Sequence, residues 1–201
     1  MNKSLSCQIR ARQIELEQIP IIKQKELEYY NYCINHIQNV QLAWNNIKND
    51  SRCVDLIISS NLPGSIDKKE DYPEFESTLD FQISSHDNSK FKDDEWDAYR
   101  KYFYPINEDE KISASADFDF AWKHHYENNM HHWDHWYFKN MTNLMPLSYI
   151  VEMCCDWIAM SMKFGGTALD WYNSNKKKIH LGNDQEKFTV ELLKRYYNAY
   201  K

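Results

Sequence analysis

Residues Trp122–Trp136 read WKHHYENNMHHWDHW and hold five of the chain's eight histidines. A helix advances about 100° per residue. A continuous helix would therefore put His125, Asn129 and His132 on one face, and His124, Asn128, His131 and His135 on its neighbour. Imidazoles stacked one turn apart can grip a metal, and imidazole suits zinc, iron, nickel and copper. The alternative is an amphipathic surface helix that packs its rings as filler. Five histidines between positions 124 and 135 favour a metal, provided that histidine or carboxylate partners lie elsewhere in the chain.

Upstream, Lys23 to Lys48 has helical spacing, with Cys33, Ile37, Val40, Trp44 and Ile47 in one stripe. His36 sits inside that stripe and should point inward, either as a hydrogen-bonded core residue or as a ligand. Residues 1–22 are polar and contain Pro20, which predicts an arm or a short leading helix. Residues 54–60 suit a short helix or a strand, and 61–73 a loop. His86-Asp87-Asn88-Ser89-Lys90-Phe91 follows. Adjacent His and Asp cannot share a helix face, yet both can reach one metal where the backbone bends. Asp93, Asp94 and Glu95 then suit the positive end of an aromatic helix that ends at Pro105. A charged loop is expected over 106–112, and a helix from Ser113 to Asn129, extending to Phe138.

Downstream, Pro146 suits the first turn of a helix over Leu147–Phe164. Leu147, Ile150, Val151, Cys154, Ile158 and Met162 form its apolar stripe. A second face carries Tyr149, Glu152, Asp156, Ala159 and Lys163. Glu152 and Asp156 are like charges one turn apart, and such a pair inside an apolar helix requires a cation, which a metal plus Lys163 would provide. A solvated face is the alternative. Gly165-Gly166 ends the helix, and two further helices are expected over 167–178 and 184–200.

The chain's 201 residues fit one domain with a sizeable core. Four glycines and five prolines argue against many short strands, and seven Trp and fourteen Tyr supply bulky core rings. A net charge of −6 without a long basic run excludes a strong nucleic-acid signature. Five cysteines, odd in number and without CxxC spacing, read as reduced. No stretch resembles a signal peptide or a bilayer span, which predicts a cytoplasmic protein without membrane attachment. A homo-oligomer is compatible with all of this.

In order, the candidates are His36, His86-Asp87, the 124–135 histidines and Asp156. That order resembles the HD-domain superfamily, with HDNSK similar to the HDxGK of its phosphodiesterase branches. More closely, HDNSKF, HHYENNMHHW and EMCCDWIAMS resemble a family of uncharacterised proteins frequent in bacteriophages and bacteria. There the middle motif usually reads HY, then N, then HHPE; here Trp133-Asp134 replaces the Pro-Glu. The resemblance spans about residues 30–165. It implies an all-α, single-domain helical bundle of the HD type over residues 23–201.

It also implies metal-dependent phosphoester chemistry with one or two divalent transition metal ions (Mn, Fe, Ni, Co or Zn). One ion would take His36, His86, Asp87 and Asp156. A second would share Asp87 and add His125 and one of His131 or His132. The choice of His125 over His124 rests on the family motif alone. Lys90 would stabilise developing phosphate charge, Asp87 would serve the reaction as a shared ligand, and Glu152 would orient an imidazole or relay a proton. Lys90, Asn129, Lys163 and His124 are the candidate substrate contacts. The expected substrate is a small phosphorylated molecule, a nucleotide or a cyclic or signalling nucleotide, cleaved by a phosphohydrolase or phosphodiesterase. Two other classes remain: a di-iron oxygenase, and a non-catalytic module stapled by metal or sequestering a nucleotide.

Overall fold

Apolar residues at spacings of three and four make a helix bury one face, and the described residues fold into ten α-helices. The structure, a computed structural model, describes the backbone of residues 5–199 and the side chains of residues 18–198. In order these are α1 (Leu5–Lys48), α2 (Ser51–Ile58), α3 (Tyr72–Ser84), α4 (Asp93–Phe103) and α5 (Glu108–Ser113). Then follow α6 (Ser115–Asn128), α7 (Trp133–Tyr137), α8 (Leu147–Phe164), α9 (Ala168–Asn175) and α10 (Asn183–Ala199). No strand occurs among the described residues, and the fold is all-α in one domain, as the sequence predicts. No described helix is long and apolar enough to cross a membrane. Cys33, Cys53, Cys154 and Cys155 are free and buried; Cys7 lies outside the described side chains.

Several expectations are corrected. Pro20 does not end the first helix: α1 continues through it, giving up the one backbone bond that proline cannot donate. The backbone over 5–22 is thus part of α1, and residues 1–4 lie outside the described chain. The charged stretch 106–112 is not all loop, because α5 forms there. The Asn107 side chain caps it by accepting from the Glu110 amide, and Glu110 pairs with the buried Arg100 at 2.8 Å. The third concerns the histidine-rich stretch, which is not one helix. α6 stops at Asn128, where the Asn128 and Asn129 amides donate to the carbonyls of His124 and His125. Asparagine competes with the helix in this way, and Asn129 turns to extended backbone at ψ 98°. His131 and His132 therefore leave the axis of α6. Residues 54–58 resolve to helix, within α2, which ends before Ser59, and Pro146 stands one residue before α8 rather than in its first turn.

α8 packs along α1, α3 closes over both, α10 packs on α8 and α2, and α4 pairs with α6. Two apolar clusters result. The larger holds Val40, Trp44 and Ile47 of α1 against Leu147, Ile150 and Ile158 of α8. The smaller holds Tyr29 and Cys33 of α1 with Tyr99 of α4 and Ala121 of α6. One stripe of α1 thus feeds both clusters, and His36, 5% exposed, stands between Cys33 and Val40 at their junction. Met162 departs from its expected stripe and is 40% exposed, and Ile37 is half-buried.

This packing sets a stability contrast between two α8 positions. Ile158→Ala removes a fully buried side chain and should cost about 2–5 kcal/mol. Met162→Ala should cost about 0.5 kcal/mol or less. Denaturant unfolding of the two variants measures the difference.

Candidate metal centre

α3 ends at Ser84, and the His86 amide still bonds to the Ile83 carbonyl at 3.3 Å. Asp87 then takes φ 57°, ψ 16°, the left-handed region that aspartate tolerates better than most side chains. This bend lets two consecutive side chains face inward, with His86 and Asp87 only 2% and 3% exposed. A 3-10 turn over Asn88–Phe91 begins at once and returns Lys90 to the same carboxylate, Nζ to Oδ2 at 2.6 Å.

Two sets of ligand-type atoms meet at Asp87. On its Oδ2 side, the His36 Nε2 atom lies 3.5 Å away and the His86 Nε2 atom 3.6 Å. The same two nitrogens are 3.4 Å apart and lie 3.0 and 3.9 Å from Asp156 Oδ1. Ligands about 2.0–2.1 Å from a tetrahedral ion stand about 3.4 Å from one another, so these spacings are those of a coordination shell. On the Oδ1 side, His125 Nε2 lies at 3.2 Å and His131 Nε2 at 3.5 Å. With His132 they form a group whose ligand atoms all fall within 4.8 Å. Asp87 Oδ1 and the Nε2 atoms of His125, His131 and His132 are all buried without a hydrogen-bond partner. Buried polar atoms are rarely left so. Each of the four presents a lone pair to shared space, and such buried His/Asp clusters could hold a metal.

A second ring of carboxylates aims the imidazoles. Glu152 accepts from His86 Nδ1 at 2.9 Å and lies 3.3 Å from His131 Nδ1. Glu95 accepts from His125 Nδ1 and from His124 Nδ1, each at 2.8 Å. An ionised carboxylate only accepts, so each Nδ1 carries the proton and each Nε2 turns its lone pair inward. Burial alone would raise the Glu152 carboxyl, but the hydrogen bonds from His131 and His86 hold it down at about 2. Burial likewise opposes ionisation of Asp87, and Lys90, His86 and His125 overcome it, keeping the carboxyl well below its ordinary range. Burial pulls the Lys90 ammonium down, yet Asp87 outweighs this and raises it. His132 is pushed well below its usual value by burial, then by His131 and His125, which leaves it in the neutral form that ligates.

The centre opens on a cavity of about 610 Å³, with His36, Asp87, His132 and Asp156 in its wall. Aromatic rings, among them Tyr32, Tyr99, Trp122, Trp133, Trp157 and Trp171, make up much of the rest. Lys90, Lys163 and Lys178 also face it. Lys163 sits 3.7 Å above the Tyr32 ring and does not pair with Glu152 or Asp156, so imidazoles rather than this lysine offset those acids. Asp134 lines the same cavity at 9% exposure, and burial pushes its carboxyl up to about 6.

His36, His86, Asp87, His125, His131, His132 and Asp156 thus converge from α1, the α3–α4 turn, α6, the α6–α7 turn and α8. Glu152 stands behind them as an orienting group. His124 and Asn129, expected to touch substrate, do not line the large cavity. His124 sits on the outer side of Glu95, and Asn129 donates to Ser89 Oγ at 2.8 Å. His135 points elsewhere, donating to the Tyr126 carbonyl at 3.1 Å. The sequence reading missed Glu95, which is wholly buried. Its position one turn before Tyr99, on the buried stripe of α4, was the available clue. Asp134 was missed as well, since a lone acid in an aromatic segment has no distinguishing spacing.

Glu95→Leu should strand the Nδ1 donors of His124 and His125. An unsatisfied buried donor costs about 1–3 kcal/mol; His125 is fully buried while His124 can turn to water, so the variant should lose about 1–3 kcal/mol by chemical denaturation. Glu95→Gln should lose less, because its amide oxygen still accepts from one of them.

A family model described as a family of unknown function (DUF5662) matches residues 25–198. No curated protein and no solved structure matches the chain. The matched span contains every residue of the His/Asp centre, its two orienting glutamates and the cavity wall, so the chain belongs to the DUF5662 family of unknown function.

Proposed function

We propose that this protein is an HD-type, metal-dependent phosphohydrolase or phosphodiesterase that acts on a nucleotide or signalling nucleotide in the cytoplasm. The observation that carries this reading is the set of four buried, unpartnered ligand atoms on Asp87, His125, His131 and His132. They stand beside the tetrahedrally spaced His36, His86 and Asp156. The donor set of imidazole and carboxylate suits Mn, Fe, Co, Ni or Zn. Asp87 would be a ligand common to both groups of donors. When bound, such ions lower the pKa of water and draw electron density from phosphoryl oxygens.

The chain's own groups supply the rest. Glu152 and Glu95 hold the imidazoles in one tautomer and one orientation. Lys90 faces the cavity beside Asp87 and offers positive charge to the phosphoryl oxygens as charge builds on them. The aromatic walls exclude water and provide faces on which a base can stack. A volume of about 610 Å³ suits a nucleotide-sized ligand. Four ligand residues line that open cavity, which supports substrate access and speaks against an ion enclosed purely as a staple. The free, buried cysteines fit a reducing compartment.

Elemental analysis of the purified protein should find one or two transition metal ions per chain, and Asp87→Ala should lose them. A screen of nucleotides and cyclic dinucleotides with Mn²⁺, Ni²⁺ and Fe²⁺ should find a hydrolysed phosphoester. Metal-loaded protein that cleaves none would overturn the reading. On the best substrate, Lys90→Ala should lower turnover roughly a hundredfold, the scale of a single lost transition-state donor. Its metal content should stay at the wild-type value; full activity would remove Lys90 from the mechanism.

A further inference from the structure

The cavity wall holds three carboxylates, Asp87, Asp134 and Asp156, of which Asp87 and Asp156 belong to the His/Asp centre. Asp134 does not. It is more than nine-tenths buried, in the first turn of α7. Its side chain meets no hydrogen-bond or ion-pair partner among the described residues beyond its own backbone amide. Lys90, Lys163 and Lys178 line the same cavity, and none of them pairs with it. A carboxylate set in a largely aromatic wall with no protein partner is poorly solvated, and its placement there calls for a reason. A ligand that brings the missing donors is the reason that fits a carboxylate placed in a cavity wall.

The chemistry of that ligand follows from the wall. A carboxylate has two acceptor oxygens and no donor, and its fork matches two parallel N–H groups on adjacent atoms. Trp122, Trp133, Trp157 and Trp171 line the same cavity and favour a flat aromatic ring. Guanine presents a ring N–H beside an exocyclic amine. Adenine and cytosine set an amine beside an acceptor, and uracil sets its N–H between two carbonyls, so each would place an acceptor against the carboxylate. We propose that Asp134 is a base-reading residue that selects a guanine-type edge in the ring-lined cavity. The assignment rests on the nucleotide reading above, since it adds a base to the phosphate expected near Lys90.

Nucleosides test it without any phosphate to cleave. In equilibrium dialysis with the full chain, guanosine should bind about tenfold or more tighter than inosine, which lacks the amine. One bidentate pair discriminates on that scale. Adenosine and uridine should bind more weakly still. Asp134→Asn should erase the preference for guanosine while its metal content, read by elemental analysis, matches wild type. Equal binding of the four nucleosides, no binding of guanosine, or a preference that survives in Asp134→Asn would each overturn the assignment. The wild-type panel reads the preference directly, so misfolding of the variant cannot shield the proposal. Guanosine selectivity without cleavage of any phosphoester would sink the phosphohydrolase reading alone. Cleavage of p-nitrophenyl phosphate without nucleoside preference would sink the base-reading role alone.

Discussion

Both oxygens of one buried carboxylate, that of Asp87, are surrounded. Oδ1 faces His125 and His131, and Oδ2 faces His36, His86 and Lys90. A carboxylate 3% exposed can stay ionised only if its surroundings replace water. Segments from α1, α6, the α6–α7 turn and the Asn88–Phe91 turn supply that replacement. The left-handed backbone at Asp87 is the local condition for it, since a helical conformation would swing the carboxylate about 100° from His86. Strain of this kind persists where the surrounding structure over-determines it, and here five side chains do so.

The sequence carried the inner layer of the centre well. His36 stood inside an apolar stripe, His86-Asp87 sat where a helix must end, and Asp156 lay on the polar face of an otherwise apolar helix. Each violates a local pattern, and a violated pattern can be read from one chain without any fold. Asp134 violates nothing, and Glu95 departs from its pattern only by sharing the stripe of Tyr99. That clue is masked because Glu95 also looks like an ordinary acid at a helix N-terminus, and the approach of α6 is what gives it two imidazoles to hold. The charged run 106–112 misled for the same reason, because the buried Arg100 that organises Glu110 comes from another helix. The break at Asn129 was legible in principle, as two consecutive asparagines are poor helix formers that bond to local carbonyls. Five histidines in a row of turns drew the reading toward a single helix instead.

The cavity lay outside what periodicity can show. Its rings come from α1, α4, α6, α7, α8 and α9, and each alone is ordinary amphipathic packing. Only their convergence beside the ligand cluster turns core-like aromatics into the wall of a site. Residue chemistry thus located the centre, and tertiary packing made its entrance.

The place of the centre between two apolar clusters bears on how the protein comes apart. His36 belongs to a stripe shared by both clusters. Glu152 extends from the α8 side to His86 and His131, and Glu95 extends from the α4 side to His125. Opening either cluster by itself would leave carboxylates and imidazoles of the other half buried without their counterparts. Each stranded group carries a penalty that the opened half cannot recover. The polar junction therefore acts as a lock on partial unfolding: the two clusters melt as one cooperative unit, and intermediates with half the core intact are disfavoured.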